Sequence, residues 1–106
     1  MRFEWDEEKN QLNLAKHGVG FEAAELAFDD IHALTQPDPF SEDEERWITL
    51  GAIGPQSLLF VVHTWFDRNQ EEIIRIISAR PATPRERRRY EEAHQRSTTR
   101  HRGRRR

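Results

Sequence analysis

The sequence predicts an α+β fold: a four- to five-stranded, mainly antiparallel sheet with two N-terminal helices on one face and a third helix at the C-terminal end. Three observations carry this. Two amphipathic segments come first, three apolar stretches rich in β-branched residues follow on connectors of three or four residues, and a capped helical segment closes the pattern. Such short connectors make antiparallel neighbours, and a chain of 106 residues supplies one core rather than two.

Arg2 to Trp5 alternates polar and apolar side chains, as a short first strand does, and Asp6 follows as an N-cap with Glu7 and Glu8 in the first turn of a helix. That helix runs to Lys16 and His17, cations suited to the negative end of its dipole. Gly18 can take the left-handed position after it. Phe21, Ala24, Ala27 and Phe28 make the apolar face of a second, short helix ending near Asp29 and Asp30. Ile31 to Thr35 reads as a weak strand, closed by Pro37 and Pro39, and Ser41 to Glu45 as an acidic loop. Three strands follow: Arg46 to Ile53, Ser57 to Trp65, and Glu72 to Arg80. Thr83 and Glu86 then bracket Pro84 as a capping box, so a helix should run from Pro84 to about Gln95. Residues 96–106 are Arg-rich and of low complexity; they are expected to be a disordered tail on a single domain of residues 1–95.

The net charge of −2 conceals a division. Residues 1–79 hold 6 Lys and Arg against 16 Asp and Glu, whereas residues 80–106 hold 11 Arg against 3 Glu. A segregated basic segment can supply phosphate contacts that the average charge would not predict, although a solvated tail is the bland reading of the last ten residues. The chain has no cysteine, which removes disulfide frameworks and thiolate metal sites. Its longest apolar run, Leu58 to Val62, is far too short to span a bilayer, and a cytoplasmic location is expected. The histidines at 17, 32, 63, 94 and 101 include no i, i+4 pair, and Gly18-Val19-Gly20 lacks the length and lysine of a phosphate loop. Chemistry without metal or cofactor is therefore expected.

Candidate residues for that chemistry begin in Ile73-Ile-Arg-Ile-Ile-Ser-Ala-Arg80, a strand that should exclude cations yet carries Arg75 and ends on Arg80. At period two, Arg75 and Arg80 face opposite ways, so a joint role demands a bulge or a strand end between them. In the strand from Arg46, the residues Glu45, Trp47 and Thr49 share the face that looks exposed and functional. Glu45 is a candidate general base, against its bland reading as part of a solvated acidic run. His63, in an apolar strand, reads first as a buried histidine held by a hydrogen bond. Lys16 and His17 are explained by dipole complementarity unless the fold brings them to the sheet. Tyr90 either anchors the last helix through its ring or offers its hydroxyl as an acid. Arginines, a glutamate and a tyrosine suffice for cleavage of RNA by its own 2′-hydroxyl, in which cations offset the charge on the phosphorane and side chains move protons.

The chain resembles the BrnT family of toxins from type II toxin-antitoxin modules. The pieces that carry the resemblance are Phe3-Glu-Trp-Asp-Glu-Glu-Lys-Asn10, Asn13-Leu-Ala-Lys-His-Gly-Val19 with Phe21-Glu-Ala-Ala24, Glu45-Arg46, Val61-Val-His-Thr64, and Ile73 to Arg80 leading to Glu86-Arg87-Arg88 and Tyr90. The resemblance implies a RelE-like fold and a ribonuclease that inhibits translation by cutting RNA. It also implies a BrnA-type ribbon-helix-helix antitoxin as partner, in a heterotetramer that binds operator DNA through the antitoxin. Carried over by position, the family's polar residues make Arg75, Arg80, Glu45 and Tyr90 catalytic candidates, and Lys16, His17, Arg46, His63 and Arg87 candidate RNA contacts. Trp65-Phe66 departs from the family pattern and could stack a base or meet the antitoxin. The competing reading is a non-catalytic RNA- or antitoxin-binding module acting as corepressor of its operon.

Overall fold

The computed structural model describes residues 1–42 and 45–104, the side chains of 96–104 excepted; Asp43 and Glu44 of the acidic loop and Arg105 and Arg106 of the tail lie outside the described residues. Strands Arg2–Glu4 (β1), Leu34–Pro37 (β2), Trp47–Gly54 (β3), Ser57–Arg68 (β4) and Glu71–Pro81 (β5) form one sheet in the order β1-β5-β4-β3-β2. Neighbours from β2 to β5 are antiparallel, and β1 lies parallel to β5 with Phe3 opposite Ile74. The sheet is therefore mixed. Asn69 and Gln70, both at positive φ (51° and 67°), make the tight two-residue turn between β4 and β5.

Helix α1 (Glu7–His17) starts where Asp6 accepts from the N–H groups of Glu8 and Lys9, and stops where Gly18 takes φ +71°. Helix α2 (Phe21–Leu26) runs into a 3₁₀ turn over Ala27–Asp29. Phe21, Ala24 and Ala27 pack with Leu59 and Val61 of β4 and with Ile74, Ile76 and Ala79 of β5, which makes one face of the sheet the core side. Gly51 lets the 3₁₀ turn lie against β3, because a Cβ there would stand 2.2 Å from the Ala27 carbonyl oxygen.

Two buried asparagines of α1, which nothing in the hydrophobic pattern singles out, fix this helix to the rest. Asn10 accepts from the Phe21 N–H through Oδ1 at 2.8 Å. Asn13 donates to the carbonyls of Val19 (2.9 Å) and Ala79 (2.7 Å), and its Oδ1 accepts from the Ala79 N–H (3.2 Å). Strand β1 pairs with β5 only as far as Arg75. The Asn13 amide thus meets both backbone groups of Ala79 where a longer β1 would have met them.

Two boundaries differ from expectation. The strand expected over Ile31 to Thr35 is instead Leu34–Pro37, because Asp30 Oδ1 accepts from the His32 N–H at 2.9 Å and bends residues 31 and 32 into a turn. Helix α3 (Pro84–Arg104) continues past the expected end near Gln95, with no proline after its first residue and its first glycine at Gly103. The second face of the sheet was expected to be open. In its β2–β4 region α3 stands over it, since Glu86 and Arg89 line a cavity of about 60 Å³ with Leu34, Gln36, Ile48, Leu50 and Phe60. Among the described residues no helix is long and apolar enough to cross a membrane.

Candidate functional site

The register of β5 settles the parity problem. Val62 lies opposite Ser78, yet the next residue, His63, lies opposite Ile76, so Ile77 is an extra residue in β5. This bulge reverses the alternation: Arg75 stands opposite Thr64, and Arg80 opposite Phe60, both on the face away from α2. Their backbones are four β4 residues apart, about 13 Å. A regular strand would have sent one of the two into the core.

Arg75 is exposed and makes no hydrogen bond or ion pair among the described residues; the charge it feels is that of Glu4, its cross-strand neighbour on β1. Glu4 itself is engaged by Arg68 at 2.7 Å, and that hydrogen bond holds its carboxyl below the ordinary value. Arg2 pairs more loosely with Glu71, at 3.7 Å. Arg2 of β1, Arg75 of β5 and Arg68 at the end of β4 therefore make an exposed platform, in which Arg75 has no ion-pair partner among the described residues. Thr64, opposite Arg75, is buried with a hydroxyl that has no partner.

Arg80 is held more firmly. Its Nη1 and Nη2 donate to the two oxygens of Glu86 at 2.9 and 3.0 Å, Nη1 also donates to the Pro81 carbonyl at 3.2 Å, and the guanidinium lies 3.9 Å from the Phe60 ring centre. Glu86 closes the capping box as well: its Oε1 accepts from the Thr83 N–H, and Thr83 Oγ1 accepts from the Glu86 N–H. The Arg80 hydrogen bond, with those of Thr83, lowers the Glu86 carboxyl from its ordinary value against the opposing effect of burial.

The other expected residues are distributed differently. Glu45 is exposed just before β3 and enters no hydrogen bond or ion pair among the described residues; Arg46 beside it is half-buried and engaged, its carbonyl accepting from the Asp38 N–H. The face shared by Trp47 and Thr49, expected to be exposed, belongs to the core side. Thr49 is 1% exposed, bonded to Thr35 Oγ1 and to Nε2 of a fully buried His63, whose Nδ1 reaches the Thr64 carbonyl. Burial lowers the His63 pKa, so the ring is neutral near pH 7 and stands across the sheet from Arg75. Trp65 and Phe66 part company: Trp65 meets Trp47 edge-on over a core-side cavity of about 170 Å³, whereas Phe66 shares the face of Arg75. Lys16 (exposed) and His17 (half-buried) follow Asn13 by one turn, near the end of β5 that carries Arg80. Arg87 donates to the Gln56 carbonyl at 3.1 Å, tying α3 to the β3–β4 turn.

Tyr90 anchors α3 by its hydroxyl, which donates to Asp30 Oδ2 at 2.5 Å. Burial opposes ionisation of Asp30, but the N–H groups of Ala52 and His32 and the Tyr90 hydroxyl outweigh it and leave that carboxyl lowered. Burial first, then the bond to Asp30 and its charge, push the Tyr90 phenol up to about 12. Tyr90 is the only tyrosine, so its titration can be followed without ambiguity. Phenolate absorbance should rise with a midpoint near 12 in the wild type and at a lower pH in Asp30→Asn, still above the unperturbed 10 because burial remains. Because the folded pKa lies above the unfolded one, the anchoring contribution is complete below about pH 10 and is lost as pH rises through about 12. A wild-type midpoint at 10 would show that the Tyr90–Asp30 bond does not form.

Among the described residues no three His, Asp or Glu side chains come together in a group that could hold a metal ion. A sequence model of the family described as "Ribonuclease toxin, BrnT, of type II toxin-antitoxin system" matches residues 5–86. Among solved structures, the 1.1 Å crystal structure of the Brucella abortus ribonuclease toxin BrnT is 27% identical, with a TM-score of 0.54, covering 78% of this chain and 97% of that one. No protein with a curated description matches.

Proposed function

Because the chain belongs to the BrnT family of ribonuclease toxins of type II toxin-antitoxin systems, we propose that it is a metal-independent endoribonuclease of RelE-like fold that inhibits translation in the cytoplasm. The observation that carries this reading is the Ile77 bulge, which sets Arg75 and Arg80 on one face of the sheet. In the reaction the RNA 2′-oxygen attacks the adjacent phosphorus and the bond to the 5′-oxygen breaks, leaving a 2′,3′-cyclic phosphate and a 5′-hydroxyl. Arg75 and Arg80 would offset the charge that builds on the phosphorane. Glu45 would take the 2′-proton, and Tyr90, once released from Asp30, would protonate the leaving oxygen. Phe66 offers a stacking surface beside Arg75. Lys16, His17, Arg46 and Arg87 would add phosphate contacts, as would the Arg-rich segment beyond the 1–95 domain. His63, neutral and buried, supports the sheet from the other side. A BrnA-type ribbon-helix-helix antitoxin would neutralise the protein in a heterotetramer that binds operator DNA.

Digestion of RNA by purified protein tests this. Cleavage should persist in excess chelator and yield cyclic-phosphate ends, and expression without antitoxin should arrest growth. Activity abolished by chelator and restored by Mg²⁺ would overturn metal independence. RNA binding that falls steeply with salt, without products at any ratio, would favour the corepressor reading.

A further inference from the structure

We infer that the Nε edge of Arg80 is a preformed phosphate fork and that Glu86 is its positioning residue. A guanidinium has five N–H donors. Three of those in Arg80 are occupied: both on Nη1, by Glu86 Oε1 and the Pro81 carbonyl, and one on Nη2, by Glu86 Oε2. The two that remain, the Nε–H and the second Nη2–H, lie side by side on one edge. That is the geometry with which arginine grips a phosphate bidentately.

The group around Arg80 fixes where this edge points. Glu86 holds the adjacent Nη1–Nη2 edge, Phe60 supports the plane from one side, and Glu86 is itself fixed by the Thr83 capping box. The Arg80 side chain remains 33% exposed, and among the described residues no hydrogen bond occupies its Nε. Arg75 has no such scaffold. The two arginines therefore divide the work: Arg80 presents an oriented fork and Arg75 an exposed charge.

A carboxylate beside a phosphate site weakens its attraction for anions, and this gives Glu86 a signature that a merely structural residue lacks. Removing the charge leaves a more strongly cationic but unoriented guanidinium. Substrate binding should then hold or tighten while the rate falls, because orientation counts mainly in the transition state.

The inference rests on the ribonuclease reading for its activity arm only. Glu86→Gln keeps a side chain able to close the capping box, and a thermal melt within about 4 °C of wild type, a shift of roughly 1 kcal/mol or less, would verify the fold. The expected result is a kcat lower by about tenfold with KM unchanged or reduced, and no further loss when Glu86→Gln is added to Arg80→Ala. A kcat within twofold of wild type, a raised KM at unchanged kcat, or an equal loss in the Arg80→Ala background would overturn it. A second arm needs no cleavage: the Arg80 Nε–H resonance, assigned by its loss in Arg80→Lys, is followed on adding a 2′-deoxy oligonucleotide, which cannot be cut. It should shift with wild-type protein and shift less than half as far with Glu86→Gln. An equal shift in both proteins, or none in either, would overturn the fork. Failure to cleave RNA by a wild-type protein whose resonance still shifts would count against the ribonuclease reading alone.

Discussion

Arg80→Ala and Arg75→Ala should each lower the rate of RNA cleavage by about a hundredfold or more, the scale on which losing one donor or cation from a developing oxyanion acts. Both variants should melt near the wild type, because Arg75 is exposed and makes no hydrogen bond among the described residues, while loss of the part-exposed Arg80–Glu86 pair leaves the Thr83 cap in place. Lysine should separate the two positions. At Arg75, where the requirement is positive charge, Arg75→Lys should retain a substantial part of the rate. At Arg80 a lysine cannot reproduce a planar fork locked against Glu86 and Phe60, so Arg80→Lys should behave nearly as alanine. Cleavage within about threefold of wild type in both alanine variants would remove these residues from the chemistry.

Asn13→Asp is the substitution expected to damage the fold most for the least change in shape. It keeps the acceptor for the Ala79 N–H but replaces the donor to the Val19 and Ala79 carbonyls with a second carboxylate oxygen, setting buried acceptors against one another. The cost should be on the order of 3 kcal/mol or more, a fall of about 12 °C or more in Tm for a domain of this size. Protonation would restore a donor, so with the folded pKa of the new carboxyl raised by about two units above 3.9, the variant should regain stability as pH falls through about 6, fully below about 4, where the wild type gains none from this position. A melting temperature within about 3 °C of wild type at pH 7 would show that Asn13 does not replace the missing strand residues beside Ala79.

What the sequence made legible was mostly periodic or capped. Asp6, Gly18, Thr83 and Glu86 announce helix ends through their own chemistry, and the apolar stretches mark β3, β4 and β5. Parity also turned Arg75 and Arg80 into a definite geometric demand, and the register meets it by a bulge at Ile77. The wrong side was assigned to Trp47 and Thr49 because alternation tells which residues share a face, not which face is covered; the Thr49–His63 bond that decides it joins two strands. Asn10 and Asn13 were invisible as anchors for the same reason, since their partners lie up to 66 positions away. Glu86 was found as a cap and missed as the partner of Arg80, because the capping box explains it completely from local sequence.

The parallel seam between β1 and β5 has a consequence for how the protein comes into being. Arg2, Phe3 and Glu4 have no strand partner until Ile73, Ile74 and Arg75 have been made. At synthesis rates of roughly 5–20 residues per second, the N-terminal segment waits on the order of 4 to 15 s for the strand that completes the sheet. That late strand also brings both arginines. A nascent chain stopped before β5 therefore has neither a closed sheet nor the cations of Arg75 and Arg80, so under the roles proposed for those arginines the ribosome finishes nearly the whole domain before the chain can act on RNA.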